Sequence, residues 1–136
     1  MRRALPLIIL AAVLMNGCSR HAPTEDIDKA AAQFFLRLKK AQYDLIYNDA
    51  SPTFKQSKSQ AEVKDSLEKL LATGPPQTWS RISMSFSDKD KPQVAEPGYM
   101  VLTDRMRVLV TLTFVDEGGE WKLSGFRAAP NSWGKQ

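Results

Sequence analysis

The chain has 136 residues, 43% hydrophobic and 25% charged, the size and mixture of a single globular domain and not of a disordered or fibrous chain. Nineteen Lys and Arg against fifteen Asp and Glu give +4, too mild a balance for a nucleic-acid footprint, so no nucleic-acid partner is expected. One Cys and one His exclude an intrachain disulfide framework, a multi-cysteine zinc site and multi-histidine centres; neither metal nor cofactor is expected.

Arg2 and Arg3 precede Leu5–Met15, an uncharged apolar stretch of eleven residues. That length suits the hydrophobic region of a signal peptide, about 7–15 residues, and falls short of the roughly 20 that span a bilayer as a helix. The stretch ends Leu14-Met15-Asn16-Gly17-Cys18, with the chain's single Cys at its close. This resembles the lipobox of bacterial lipoproteins, although Met15 stands where Leu is usual and Asn16 where a less polar residue is. The resemblance implies signal cleavage between Gly17 and Cys18, lipidation of the Cys18 thiol and acylation of the new amino terminus. At about 0.8 kcal/mol per methylene, three acyl chains amount to an anchor on the order of 30 kcal/mol. Ser19 after the Cys, in place of the Asp that retains such proteins at the inner membrane, implies the periplasmic face of the outer membrane. The membrane would then be one partner, through Cys18. Loss of residues 1–17 leaves 119 residues and takes Arg2 and Arg3, so 17 basic residues face 15 acidic ones, a net +2.

Residues 18–23 read as the lipidated Cys and its tether. The five residues Ser19–Pro23 extend to about 17 Å, which would hold the domain against the membrane. Thr24 is positioned to cap a helix over about 25–41, with Glu25, Asp26 and Asp28 in its first turn, where the helix dipole favours negative charge. Ile27, Ala30, Ala31, Phe34, Phe35 and Leu38 form its apolar stripe. A short helix is expected over Tyr43–Asp49, interrupted at Ser51-Pro52. Ser59 and Glu62 have capping-box spacing, and Val63, Leu67, Leu70 and Leu71 give the stripe of a helix over about 59–72. Gly74 then supplies a left-handed position, and Pro75-Pro76 stops the helix.

Beyond Pro76 the period becomes two. Ile82, Met84 and Phe86 alternate with Arg81, Ser83 and Ser85, an apolar face and a wet face of a strand. Ser87–Pro97 reads as a loop and Tyr99–Thr103 as a short strand. Met106, Val108, Val110, Leu112 and Phe114 form one face of a long strand, with Leu109 and Val115 on the other. Asp116-Glu-Gly-Gly119 is a hairpin turn, and Glu120–Arg127 the returning strand. Residues 130–136 read as a tail that Trp133 alone is equipped to dock. Helices followed by a meander define an α+β domain over 24–129, the helices packed on one face of an antiparallel sheet of about four strands. The helix AAAQFFLRLKKAQYDLIY, the capped helix ending in Gly, and the strands VLVTLTFVDEGGEWKLSGFR with Gly118-Gly119 and Trp121 resemble the nuclear transport factor 2-like and cystatin-like superfamily. Within it the resemblance is to small bacterial lipoproteins and periplasmic domains, over about residues 25–128, and implies a fold without implying an activity.

Candidate chemistry is sparse. His21 lies in the tether, and Cys18 is spent on lipid, so a nucleophile–imidazole pair cannot be assembled in the domain. Tyr43, Asp44, Tyr47 and Asp49 cluster on the second helix; they read as packing tyrosines and solvated aspartates, or as an Asp/Tyr acid–base pair if burial perturbs a carboxylate. Lys39, Lys40, Lys55, Lys58 and Lys64 read as a solvated face or a patch for anionic head groups. Ser57, Ser59, Ser83 and Ser85 lack a base. Acidic residues alternate with lysines, as in Asp88–Lys91, which disfavours a cation site. Trp121 reads as core; Trp79, out of phase with Ile82, Met84 and Phe86, as a cover for the sheet edge or the lining of a groove. The expectation is a non-enzymatic domain that binds a protein partner or small ligand, with no catalytic residue, through the sheet face or its open end. The alternatives are a ligand-pocket protein with Asp/Tyr lyase- or isomerase-like chemistry, and an immunity or inhibitor lipoprotein.

Overall fold

The computed structural model describes residues 23–87 and 92–130. Gly17, Cys18, His21, Asp88–Lys91 and Trp133 therefore lie outside the described residues. Four helices precede four strands: α1 (Pro23–Lys39), α2 (Tyr43–Asn48), α3 (Pro52–Ser57), α4 (Gln60–Leu71), β1 (Thr78–Ser87), β2 (Val94–Leu102), β3 (Arg107–Glu117) and β4 (Glu120–Pro130). The strands form an antiparallel meander in the order β1-β2-β3-β4. The helices cover one face of it, so the domain is α+β.

α1 begins at Pro23, whose fixed φ suits a first helical position, so Thr24 lies inside the first turn and is not the cap expected of it. Ile27, Ala31, Phe34, Phe35 and Leu38 are buried as the stripe requires. The helix contains the whole apolar stripe and ends at Lys39, two residues short of the expected limit. Ala41 takes a left-handed φ of 55°, while the Ala41 and Gln42 amides donate to the Leu38 and Arg37 carbonyls at 3.0 and 2.8 Å. This is a Schellman ending with alanine where glycine is usual.

α3 was not expected. Ser51-Pro52, read as an interruption, is a helix start: Pro52 occupies the first turn and the Ser51 hydroxyl accepts from the Phe54 amide at 3.2 Å. Ser51 is wholly buried, and its own amide donates to the Leu123 carbonyl on β4 at 2.8 Å. Ser59 caps α4 as expected, its hydroxyl accepting from the Glu62 amide at 3.2 Å.

The inner face of the sheet carries Ala95, Tyr99 and Val101 on β2, Val108, Val110, Leu112 and Phe114 on β3, and Leu123 on β4; these and the α1 and α4 stripes form one core. β1 departs from simple alternation. Arg81 pairs with Tyr99 and Ser83 with Gly98, which leaves Ile82 as an extra residue in a bulge, 56% exposed. The bulge switches parity, so Trp79 and Arg81 before it share the inner face with Met84 and Phe86 after it. Ile82, expected to face inward with Met84 and Phe86, is the one left out.

Two further boundaries move. β2 begins at Val94, so Val94–Pro97, expected as loop, is strand. The β2–β3 ladder pairs Ala95 with Phe114 and Gly98 with Thr111 and skips Glu96 and Pro97, which is where a residue without an amide hydrogen is tolerated. β4 runs three residues past Arg127, to Pro130, which pairs with Val108. A second bulge falls at Ser124, opposite Thr113 and Phe114. The β3–β4 turn is the expected one, with Gly118 and Gly119 at φ 63° and 89°.

Candidate functional site

The helices do not cover the whole inner face. α4 stops at Leu71, and its last turn tightens as the Thr73 and Gly74 amides donate to the Leu70 and Leu71 carbonyls at 3.1 and 2.9 Å. Gly74 turns the chain at φ 117°, and the β2–β3 turn closes on it. The Thr103 hydroxyl donates to the Thr73 carbonyl at 2.9 Å, and Arg105 Nη1 donates to the Ala72 carbonyl at 3.1 Å. These contacts fix where α4 ends relative to the sheet. Beyond that point the inner face, marked by the pairing of Phe126 with Leu112 and of Ala128 with Val110, is covered only in part: Phe126 meets Phe34 of α1 on one side and lines an opening on the other, and Ala128 is exposed.

The result is a cleft of about 420 Å³ between α4 and the ends of β3 and β4, within the roughly 300–1,000 Å³ usual for small-molecule sites. Leu70, Met106, Val108, Phe126 and Ala128 give it apolar walls. Ser66, Thr73, Lys69 and Arg127 supply the polar lining, and neither a carboxylate nor a phenol is part of it. Met106 was expected on the buried face of the long strand; it sits ahead of β3, 42% exposed, as one wall of this opening. The open end of the sheet was expected as a contact surface, but none of the residues that build this wall was singled out for it. The available signal was parity: Ala128 follows Phe126 at the strand period, one residue past the expected strand end.

The Tyr and Asp residues of the second helix hold elements together. Tyr47 donates from its hydroxyl to the Lys55 and Lys58 carbonyls on and just after α3, at 3.3 and 3.1 Å. Asp49 pairs with Arg37 on α1, and Asp44 Oδ1 accepts from Gln60 Nε2 at 3.0 Å. Tyr43 and Asp44 line an open depression with Lys64 and Glu68, and the Tyr43 phenol is raised above its ordinary pKa by burial and then by the Glu68 charge. Asp44 and Asp104 are both exposed.

The most buried Asp/Tyr contact is elsewhere. Tyr99 on β2 donates to Asp28 Oδ1 on α1 at 2.7 Å, and Arg81 on β1 approaches the same oxygen through Nε at 3.0 Å. Burial, and then the Asp28 hydrogen bond and charge, push the Tyr99 phenol far above its ordinary value, so it remains a donor and is a poor base. No sequence signal joined these three residues, because the pairing depends on the β1 bulge.

The lysines are distributed. Lys39 and Lys40 lie at the end of α1, Lys55 Nζ donates to the Asn48 carbonyl at 3.0 Å, and Lys64 stands 3.9 Å from Glu68. Ser57 donates to the Phe54 carbonyl, and Ser83 lies against Gly98 on the outer face. Trp79 is half-buried, its ring 5.1 Å from that of Phe35, and so closes the core at the β1 edge. Trp121 is likewise half-buried against the core. Among the described residues no group of His, Cys, Asp and Glu is gathered for a metal ion, and no helix is long and apolar enough to cross a membrane. No protein-family model and no curated protein matches the chain.

Proposed function

We propose that the protein is a lipid-anchored lipoprotein of the bacterial envelope, attached through Cys18 at the periplasmic face of the outer membrane, whose α+β domain binds a ligand or partner and does not catalyse. The observation that carries the binding half is the cleft: a partly uncovered stretch of inner sheet face with apolar walls, bounded by the clamp between Thr103, Arg105 and the end of α4. Its lining holds no carboxylate and no phenol, the groups an Asp/Tyr acid–base pair would need. The anchoring half rests on the single Cys closing an eleven-residue apolar stretch. The order of helices then meander supports the likeness to cystatin-like and nuclear transport factor 2-like lipoproteins.

Anchoring is tested by fractionation. Cys18→Ser is expected to leave the membrane fraction and to escape cleavage after Gly17; a variant that still matures and sediments with membranes removes the lipoprotein reading. Binding is tested by native mass spectrometry of the protein recovered from envelopes. An adduct carried by the wild type and lost in Met106→Asp places the ligand in the cleft, and an adduct indifferent to that substitution places it elsewhere.

A further inference from the structure

The sheet has two unlike ends, and α1 runs from one toward the other. The first turns of α1, at Asp26 and Lys29, share a depression with Gly119, Glu120 and Lys122 of the β3–β4 turn, while Phe34, further along the helix, meets Phe126. Pro23, first residue of α1, therefore lies at the β3–β4 turn, and there the chain from Cys18 joins the domain. Two aromatic residues mark this end. Phe86, near the close of β1, is 41% exposed, and its ring lies 6.5 Å from that of half-buried Trp121. The opposite end holds the cleft, with Thr73, Met106 and Ala128. Trp121 and Ala128 are seven positions apart on β4, one of them the bulged Ser124, so the two ends stand about 20 Å apart.

We infer that the domain contacts its own membrane through the Phe86–Trp121 end, the rings and the β3–β4 turn against the lipid head groups, and that the cleft opens away from the bilayer. The inference rests on the proposed anchoring at Cys18 and names the surface that the anchor brings to the lipid. Distance decides the orientation. The five residues Ser19–Pro23 reach about 17 Å when fully extended. Setting the cleft end on the bilayer would lift Pro23 about 20 Å, further than that tether spans. With the Phe86–Trp121 end down, the same tether has slack. A linker this short also holds the domain at an effective concentration on the order of mM, so a contact that is weak by itself is populated. The rings suit the contact, since the bilayer interface favours aromatic side chains with an apolar body. Charge adds no preference, because Lys29 and Lys122 are set against Asp26, Asp49 and Glu120 in the same depression. The contact is therefore expected to be indifferent to the charge of the lipid, and the cleft to meet partners dissolved in the aqueous phase.

The test uses acylated protein purified from envelopes, its acyl chains verified by mass, in phosphatidylcholine vesicles with a nitroxide on the head groups. Lipid then blocks Cys18, so a fluorophore can be placed on one new thiol, Glu120→Cys at the β3–β4 turn or Ala129→Cys beside the cleft, both at exposed positions. Quenching is expected to be about threefold or more greater at position 120 than at position 129, with or without phosphatidylglycerol in the vesicles. Phe86→Ser, at a position open to solvent, is expected to remove most of that excess while the protein stays in the vesicle fraction. Equal quenching at the two positions means that the domain lies on its side or tumbles, and overturns the inference. Stronger quenching at position 129 puts the cleft on the membrane and overturns it as well. An excess untouched by Phe86→Ser, or present only with phosphatidylglycerol, overturns the contact through the rings. Protein that carries no acyl chains overturns the anchoring and this inference with it, whereas acylated protein without the excess overturns this inference alone.

Discussion

Tyr99 and Asp28 stand 71 positions apart in sequence and 2.7 Å apart in the fold, the phenol donating to a carboxylate that Arg81 also holds. The contact joins α1 to β2, and through Arg81 to the edge strand β1. Its strength lies in the burial of the donor, since Tyr99 is only 2% exposed. Asp28 and Arg81 keep more access to water, so the ion pair by itself contributes little. Tyr99→Phe is expected to cost about 1–2 kcal/mol at neutral pH, as loss of a hydrogen bond to a charged acceptor does, read from the chemical-denaturation midpoint.

The same contact fixes a pH dependence. The folded phenol is raised above the ordinary tyrosine value of about 10, so above that pH the unfolded chain releases a proton that the folded chain retains. The contribution is fully present below pH about 10 and is lost as the pH rises beyond it. Wild type is therefore expected to lose stability more steeply than Tyr99→Phe above that pH, and the two to converge. Parallel unfolding curves from pH 9 to 11, on the order of the ordinary value and its flanks, would show the phenol to be unperturbed.

Phe34 and Val110 belong to one core, as the stripe of α1 and the alternation of β3 required. The Phe34 ring lies 5.4 Å from that of Phe35 and 5.8 Å from that of Phe126, which lines the cleft. Phe34→Ala is expected to cost about 3–5 kcal/mol by thermal or denaturant unfolding. A variant as stable as the wild type would detach α1 from the sheet.

Local signals carried far in this chain where each element met its own condition. α1 repeats apolar residues over three turns, Ser59 lies three residues before Glu62, and Gly118-Gly119 sits between two alternating runs; each of those elements stands where its pattern puts it. The failures are of two physical kinds. α3 buries one apolar residue, Phe54, so it has no stripe, and its only mark is the Ser51-Pro52 start that also reads as a break. The other failures come from pairing. An extra residue at Ile82 changes which β1 residues face inward, and Pro97 hides a strand because its missing donor falls where the ladder is interrupted. The cleft belongs to this second kind. It exists because α4 ends before the sheet does, a relation among Leu71, Gly74 and Ala128 that no single segment contains.

Ala41 and Gly74 end their helices in opposite ways and are expected to respond oppositely to substitution. Ala41 holds a left-handed φ of 55°, a conformation costing roughly 1 kcal/mol or more for a residue with a Cβ. Glycine removes that strain at a site already closed by the Arg37 and Leu38 carbonyls, and gives back part of the gain in unfolded-chain entropy. Ala41→Gly is expected to stabilise the domain by about 0.5 kcal/mol, read as a higher unfolding midpoint at unchanged denaturant slope. A lower midpoint would mean that the entropy term wins.

At Gly74 both terms oppose a side chain. Its φ of 117° is unfavourable to any residue with a Cβ, and an added Cβ would lie 2.7 Å from Thr103 Cβ, Thr103 Oγ1 and Asp104 Oδ1. The Thr103 hydroxyl cannot move aside freely, since it holds the Thr73 carbonyl at 2.9 Å and accepts from the Arg105 and Met106 amides at 3.1 and 3.0 Å. Gly74→Ala is therefore expected to cost about 2–4 kcal/mol, combining backbone strain with overpacking. The damage should be directional. The β2–β3 turn would be pushed from the end of α4, moving Met106 and Thr73 at the wall of the cleft. Amide exchange of residues 72–74 and 103–106 should accelerate before that of the α1–β3 core, whose protection reports global unfolding. Uniform acceleration across the domain would show that the clamp and the core unfold as one unit, and Thr103→Gly in the Gly74→Ala background should then fail to restore the midpoint.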